Sequence, residues 1–382
     1  MKRIVLIALF AVLTFFVFTA PNQSVKAEDF SSVKARSAYL MDKRTGQTLY
    51  GQRENDEFPI ASMVKIMTAL LTFEEIEKGS LSFDEVITIS EEAAGMGGSQ
   101  MFLDKGLSYP VTDLLKGVIV VSANDACVAL AERISGSEEN FVAKMNERAK
   151  ELGMTHTVFV NATGLPKEGG HSSARDVALM LRALTSHERY YDYSKIWLEE
   201  YKHPDGRITT LTNTNKFVRF YDECDGGKTG FTSEAKFCLA ASATRGDTQL
   251  ISVVIGVDDS KTRFAESKRL LGYGFSNYKT EIILKKGEAA FFAPIRRGAK
   301  NTVACGVKED LSVLLKTGVK SDDSEIKTEY RALRAPIRKG EEVGECVLIS
   351  GEKEIRVPLV ALEDVSKATV GDAYQKILGE WA

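Results

Sequence analysis

The chain has 382 residues, 44% hydrophobic and 27% charged, with a formal net charge of -3. That length suffices for two domains with a substantial core, and the composition is that of an ordinary globular protein. The near-neutral balance gives no reason to expect a nucleic-acid partner.

Residues 1–27 are expected to stand outside the fold. Lys2 and Arg3 form a basic start, Ile4 to Ala20 is an uninterrupted apolar run, and Val25-Lys26-Ala27 offers a small-residue cleavage site. This is the layout of a secretory signal peptide cut after Ala27. An uncleaved anchor is the rival, since the apolar run is near the lower limit for spanning a bilayer. Either way the working part is exported, to the cell wall or the outer face of the cytoplasmic membrane.

Ser37–Asp42 and Gln47–Gly51 flank Lys43-Arg44-Thr45-Gly46 and predict a hairpin. The stretch 58–73, FPIASMVKIMTALLTF, then reads as a helix apolar almost all the way round, which is the mark of a buried helix. It starts near Pro59 and carries Ser62 and Lys65, three residues apart and therefore on one face. Burial of an ammonium is costly and lowers its pKa, which would let Lys65 take a proton from Ser62 near neutral pH. Ser-x-x-Lys also occurs at Ser31/Lys34, Ser233/Lys236, Ser276/Lys279, Ser324/Lys327 and Ser350/Lys353, but there in polar or turn-like surroundings.

Residues 80–110 look irregular. Helices are expected at about 111–120, 124–134, 138–152 and 174–186, with Asp125 and Ser137 as caps. Residues 187–222 are aromatic-rich and give no clear elements. Phe237–Thr244 and Gln249–Val257 read as strands, and Lys261–Phe275 as a helix on them. Strands at both ends of a helical stretch suggest a sheet assembled from remote parts of the chain. Beyond residue 279 come short strand candidates between Gly, Pro and charged turns, the pattern of a small all-β domain. Along 363–382, Tyr374, Ile377, Leu378 and Trp381 fall at helical spacing, a stripe suited either to a membrane surface or to packing on its own domain.

Cys127, Cys224, Cys238, Cys305 and Cys346 match no zinc pattern, and pairings 224–238 or 305–346 stay open. None of His156, His171, His187 and His203 is in a setting that suggests a metal site or a triad, and no cofactor is implied.

Two further motifs follow Ser62. Ser122-Ala123-Asn124 lies at a helix entrance, where Ser122 can relay a proton and Asn124 hold a substrate amide; both can equally be mere caps. Lys228-Thr229-Gly230 comes just before the strand-like residues Lys236–Thr244; on an edge strand, its lysine and hydroxyl suit a carboxylate and its glycine leaves room for a substrate backbone. A second such triplet, Lys316-Thr317-Gly318, falls in the β domain and out of order with the other motifs.

Ser62-x-x-Lys65, Ser122-x-Asn124 and Lys228-Thr229-Gly230, in that order, resemble the set shared by penicillin-binding proteins and serine β-lactamases. Pro59–Lys65, Gly98–Leu103, Ser122–Ala126, His171–Asp176 and Gly227–Thr232 are similar to segments of low-molecular-mass D-alanyl-D-alanine carboxypeptidases, particularly the DacF type. The resemblance covers essentially the whole mature chain. It implies an α/β (α+β) catalytic domain over 28–278 with an antiparallel sheet flanked by helices, a small β-sandwich domain over 279–362, and a membrane-associating helix over 363–382. By the same resemblance, Ser62 attacks the bond between the terminal D-alanines of a peptidoglycan stem peptide, Lys65 is the base, and Ser122 passes a proton to the leaving D-alanine. The N–H groups of Ser62 and Phe231 form an oxyanion hole, Lys228 and Thr229 hold the carboxylate with help from Arg263, and β-lactams acylate Ser62. The rivals are a β-lactamase and a non-catalytic cell-wall binding protein. Against the first, Ala123 stands where class A β-lactamases have aspartate, and no Glu-x-x-x-Asn loop is found between residues 126 and 227. Against the second, no catalytic group is missing.

Overall fold

The computed structural model describes residues 30, 32–319, 324–350 and 353–372. The expected signal peptide, 1–27, and the end of the expected terminal helix, 373–382, lie outside the described residues.

Five antiparallel strands form the central sheet, in the order Thr48–Gln52, Ser37–Asp42, Thr248–Val257, Lys236–Arg245, Cys224–Thr232. The N-terminal hairpin thus pairs with a strand more than two hundred residues later. Successive side chains of a strand point to opposite faces, and both faces here are apolar. Tyr39, Met41, Cys238, Ala240, Ile251 and Val253 enter one core, whereas Ala38, Leu40, Leu239, Ala241, Leu250 and Val254 enter another. Helix Ser260–Asn277 covers the second face with Leu270 and Leu271. Helices Lys65–Glu77 and Ala174–Leu184 pack against the first, with Asn124–Ser135 and Glu138–Glu151 beyond them. The 187–222 stretch resolves into a short helix, Tyr190–Ser194, a hairpin of Leu198–Lys202 with Ile208–Thr212, and a turn of helix, Phe217–Phe220.

From Tyr278 to Ala361 the described elements are all strands. Six strands run in the order Ser324–Tyr330, Glu342–Ser350, Lys353–Ala361, Thr302–Val307, Phe291–Arg296, Leu333–Arg334, beside the pair Tyr278–Leu284 and Leu311–Lys316. Val303, Val343, Leu348 and Leu359 sit at the centre of a separate core. The two parts are tied by Thr280 Oγ1 donating to the buried Asp42 carboxylate (2.7 Å) and by Arg44 pairing with Asp310 (2.6 Å). The segment expected to turn helical at 363 first bridges back to this domain, Val365 to Ile337 and Lys367 to Gly298. Val365 is buried there, an apolar residue better satisfied in the β core than on a helix surface. All five cysteines are free and buried.

Candidate active site

The helix expected from Pro59 begins later. Ala61–Val64 is a 3-10 turn and the α-helix proper starts at Lys65. Ala61, just before the serine, has φ 47°, a left-handed backbone that costs about 1–2 kcal/mol in a non-glycine residue. Lys65 is 1% exposed. Its Nζ donates to Ser62 Oγ at 3.1 Å and to the Thr163 carbonyl at 2.6 Å. Burial brings its pKa down to about 8, against a smaller upward pull from Cys127 and Asp125. Neutral in a minor fraction of molecules near physiological pH and in half of them at about pH 8, the amine can then reverse the 3.1 Å contact and accept the serine proton. Gly164 supports this turn from outside, where a Cβ would stand 2.1 Å from the Ala61 carbonyl oxygen.

A π-helical turn, Gly117–Val121, delivers Ser122 in a left-handed conformation (φ 65°, ψ 36°). Helix Asn124–Ser135 begins at Ala123 without a side-chain cap, so neither Ser122 nor Asn124 is spent on capping. Ser122 Oγ and Asn124 Oδ1 are both buried without a hydrogen-bond partner. Two such groups cost about 1–3 kcal/mol each unless a ligand engages them. The Asn124 amide instead donates to the Gly97 carbonyl (2.6 Å), and its backbone N–H to Ser99 (2.7 Å). Asp125, expected as a cap, turns away from that task. Its buried carboxylate accepts the N–H groups of Met101 (3.2 Å) and Leu103 (3.0 Å), drawing the 97–103 loop onto the motif.

The third motif occupies the outermost strand of the sheet, Cys224–Thr232. Gly230 lies so close to the serine turn that a Cβ would meet the Ile60 carbonyl at 2.6 Å and the Ser62 nitrogen at 3.4 Å. This proximity brings the backbone of Ser62 and that of the Gly230–Phe231 segment together. Phe231 itself points out, its ring against Phe237 with centroids 4.4 Å apart. Lys228 is buried, and burial followed by the neighbouring Lys65 charge holds its pKa well below the ordinary lysine value. Its Nζ makes one hydrogen bond, to the Thr229 carbonyl at 3.3 Å. Thr229 Oγ1 donates to Thr214 Oγ1 at 2.9 Å. Arg263 approaches from the other side of the sheet. Its guanidinium donates to the carbonyls of Gly230 (3.3 Å) and Cys238 (3.2 Å) between the rings of Phe237 and Phe264, so it reaches the motif through backbone. Lys316-Thr317-Gly318 is an exposed turn of the β domain.

Residues 22–259 match the family model described as D-alanyl-D-alanine carboxypeptidase. The chain belongs to this family. Residues 278–367 match the penicillin-binding protein 5 C-terminal domain. The D-alanyl-D-alanine carboxypeptidase DacF of Bacillus subtilis is 38% identical over 100% of this chain and 99% of its own length. Among solved structures, penicillin-binding protein 5 from Haemophilus influenzae is 33% identical with a TM-score of 0.68, covering 88% of this chain and 98% of its own. Penicillin-binding protein 6B from Escherichia coli gives 32% and 0.66, over 86% and 96%. Carboxypeptidases of this family are serine peptidases, and β-lactam binding is typical of them.

In this carboxypeptidase several supporting groups escaped the sequence reading. Thr163 holds Lys65 through a carbonyl, Thr214 holds the Thr229 hydroxyl, and the buried Tyr190 phenol accepts the Gly227 N–H at 2.9 Å. Backbone acceptors leave no mark in side-chain identity. The glycine cluster Gly95-Met96-Gly97-Gly98 was the one visible sign, because Gly98 is where a Cβ would press on Asn124 Nδ2 at 2.9 Å.

Proposed function

We propose that this chain removes the terminal D-alanine from peptidoglycan stem peptides through an acyl-enzyme on Ser62. Neutral Lys65 takes the Ser62 proton as Oγ attacks the penultimate D-alanine carbonyl. The resulting oxyanion is met by the N–H groups of Ser62 and Phe231. Ser122 passes a proton to the departing nitrogen, the C–N bond breaks, and D-alanine leaves. Water then adds to the ester and frees Ser62. Asn124 holds the substrate amide. Lys228 and Thr229 bind the terminal carboxylate, with Arg263 stiffening the strand beneath them. A β-lactam follows the first half of this course and stays on Ser62.

The observation that carries these assignments is the 3.1 Å Lys65–Ser62 contact inside a buried setting, beside two orphaned polar atoms from residues 122 and 124. The test incubates the mature protein, and Ser62→Ala beside it, with labelled penicillin and with a diacyl-D-Ala-D-Ala peptide. A slowly released adduct and free D-alanine, both lost in the variant, are expected. Rapid penicillin turnover without peptide cleavage would favour a β-lactamase, and no reaction with either would favour a binding protein.

We also propose export directed by residues 1–27 and peripheral membrane contact through 363–382. None of the described helices is long and apolar enough to cross a membrane. Flotation of the mature chain with anionic vesicles, lost on truncation after Asp372, tests the contact.

A further inference from the structure

The strand that carries Lys228, Thr229 and Gly230 is outermost in its sheet, so one of its edges has no partner strand. Such an edge pairs readily with an extended chain, and a protein that uses it must also limit it. In an antiparallel ladder successive residues turn their N–H groups to opposite edges. The Gly227 N–H leaves the ladder for the Tyr190 phenol at 2.9 Å, which fixes the register: Thr229 and Phe231 turn theirs to the same free edge. Tyr190 does not cover the start of this edge alone. Its helix, Tyr190–Ser194, also places Ser194 Oγ on the Asp225 carbonyl at 2.5 Å, and Asn215 Nδ2 donates to the Gly226 carbonyl at 3.3 Å. Tyr190, Ser194 and Asn215 are all buried. Gly226 admits them, because a Cβ there would stand 2.6 Å from Ser194 Cβ and 2.8 Å from the Tyr190 oxygen. The edge is therefore sealed as far as Gly227, whereas Phe231 is exposed.

A peptide lying along this edge, its scissile carbonyl at Ser62 and Phe231 and its carboxylate at Thr229, points its C-terminus at Gly227. Two residues of strand, about 7 Å, separate Thr229 from Gly227. One residue added to the peptide closes half of that distance and runs into the phenol, which already holds the N–H that a longer chain would need. We infer that Tyr190 determines specificity by ending the substrate edge, so that a single residue fits beyond the scissile bond. Loss of the carboxylate grip alone penalises every blocked C-terminus alike, whereas a stop penalises them by length. The inference rests on the carboxypeptidase reading and adds the residue that confines this activity to the end of a chain.

The test compares kcat/KM for acyl-D-Ala-D-Ala peptides ending in an amide, a methylamide or a glycinamide, none of which offers a carboxylate. Release of the D-alanine derivative is the readout. In the wild type the amide is expected to exceed the glycinamide about tenfold, with the methylamide between them, since a built clash rejects by size. Tyr190→Phe keeps the ring in place and should keep this ratio, even as the unpaired Gly227 N–H slows all three reactions. Tyr190→Ala should bring the ratio to within about twofold of unity, with thermal melting run beside it to check the fold. If the alanine variant does not fold, the graded wild-type series and its persistence in Tyr190→Phe decide the matter. Equal rates for the three peptides in the wild type overturn the stop, as does an undiminished ratio in a folded Tyr190→Ala. Failure of the wild type to release D-alanine from the free-acid peptide refutes the carboxypeptidase reading instead.

Discussion

The two parts of the chain differ in the polar residues they bury beside their apolar cores. The catalytic part encloses Lys65, Ser122, Asn124, Asp125, Lys228, Thr229 and Arg263, whereas the only buried polar residues from 278 on, among those described, are Thr280 and Ser312. The charges of the β domain stay outside, as where Arg356 meets Glu329 (2.8 Å) and Glu345 (3.0 Å). Buried charge is a poor way to gain stability, since desolvation offsets most of the attraction. The catalytic part accepts that penalty at its cleft and at a few sites away from it, such as Asp42 and Asp176. The β domain, which carries none of the three motifs, is assembled as an apolar core with a solvated charged face.

This contrast can be broken or sharpened by experiment. Lys65→Met should abolish acylation, by at least about 10⁴-fold, yet raise stability by about 3 kcal/mol at pH 7, the equivalent of moving a lysine pKa from 10.5 to about 8. The destabilisation is complete below about pH 8, where the lysine is charged folded and unfolded alike. It fades as pH climbs to 10.5 and the unfolded chain loses the proton too, so the two proteins' melting temperatures should converge there. A destabilised methionine variant at pH 7 would contradict the cost assigned to the buried amine. Gly164→Ala pushes on the Ala61 carbonyl, and a displacement of that kind next to a nucleophile should slow acylation about 10²-fold in stopped-flow assays. Between pH 6 and 7 the wild-type acylation rate should rise about tenfold, then level off above pH 8 as Lys65 becomes neutral. In the β domain, Leu348→Ala should cost about 2–5 kcal/mol in denaturant titrations without altering the acylation rate. Arg356→Ala should leave the melting temperature unchanged, as solvent-exposed ion pairs do.

The Ser62–Lys65 pair was legible because a three-residue spacing on an apolar helix is a local fact. The sheet was legible in part. Phe237–Thr244 and Gln249–Val257 showed their strands by pattern, but Cys224–Thr232 carries three glycines, two of them (Gly226 and Gly227) at φ 152° and 125°, so its chemistry rather than its periodicity pointed to an edge strand. Those glycines serve close packing: a Cβ on Gly227 would lie 2.1 Å from the Ala240 carbonyl oxygen. Residues 187–222 stayed unreadable because their elements are four or five residues long, too short to display a period. Asp125 misled for a different reason. A carboxylate at a helix start ordinarily caps it, and only the distant loop bearing Met101 and Leu103 could show otherwise. Thr163 is 98 positions from Lys65, and no spacing rule reaches that far.

The two interior lysines ask opposite things of the solvent. In the proposed reaction Lys65 works after giving up its proton, while Lys228 grips an anion best after gaining one, and the Lys65 charge, after burial, suppresses the positive state of Lys228. A substrate arriving with its carboxylate should therefore draw a proton in from bulk water as it docks. Calorimetry in buffers of differing ionisation enthalpy would register that uptake directly, and it would make affinity improve in acid while turnover improves in base.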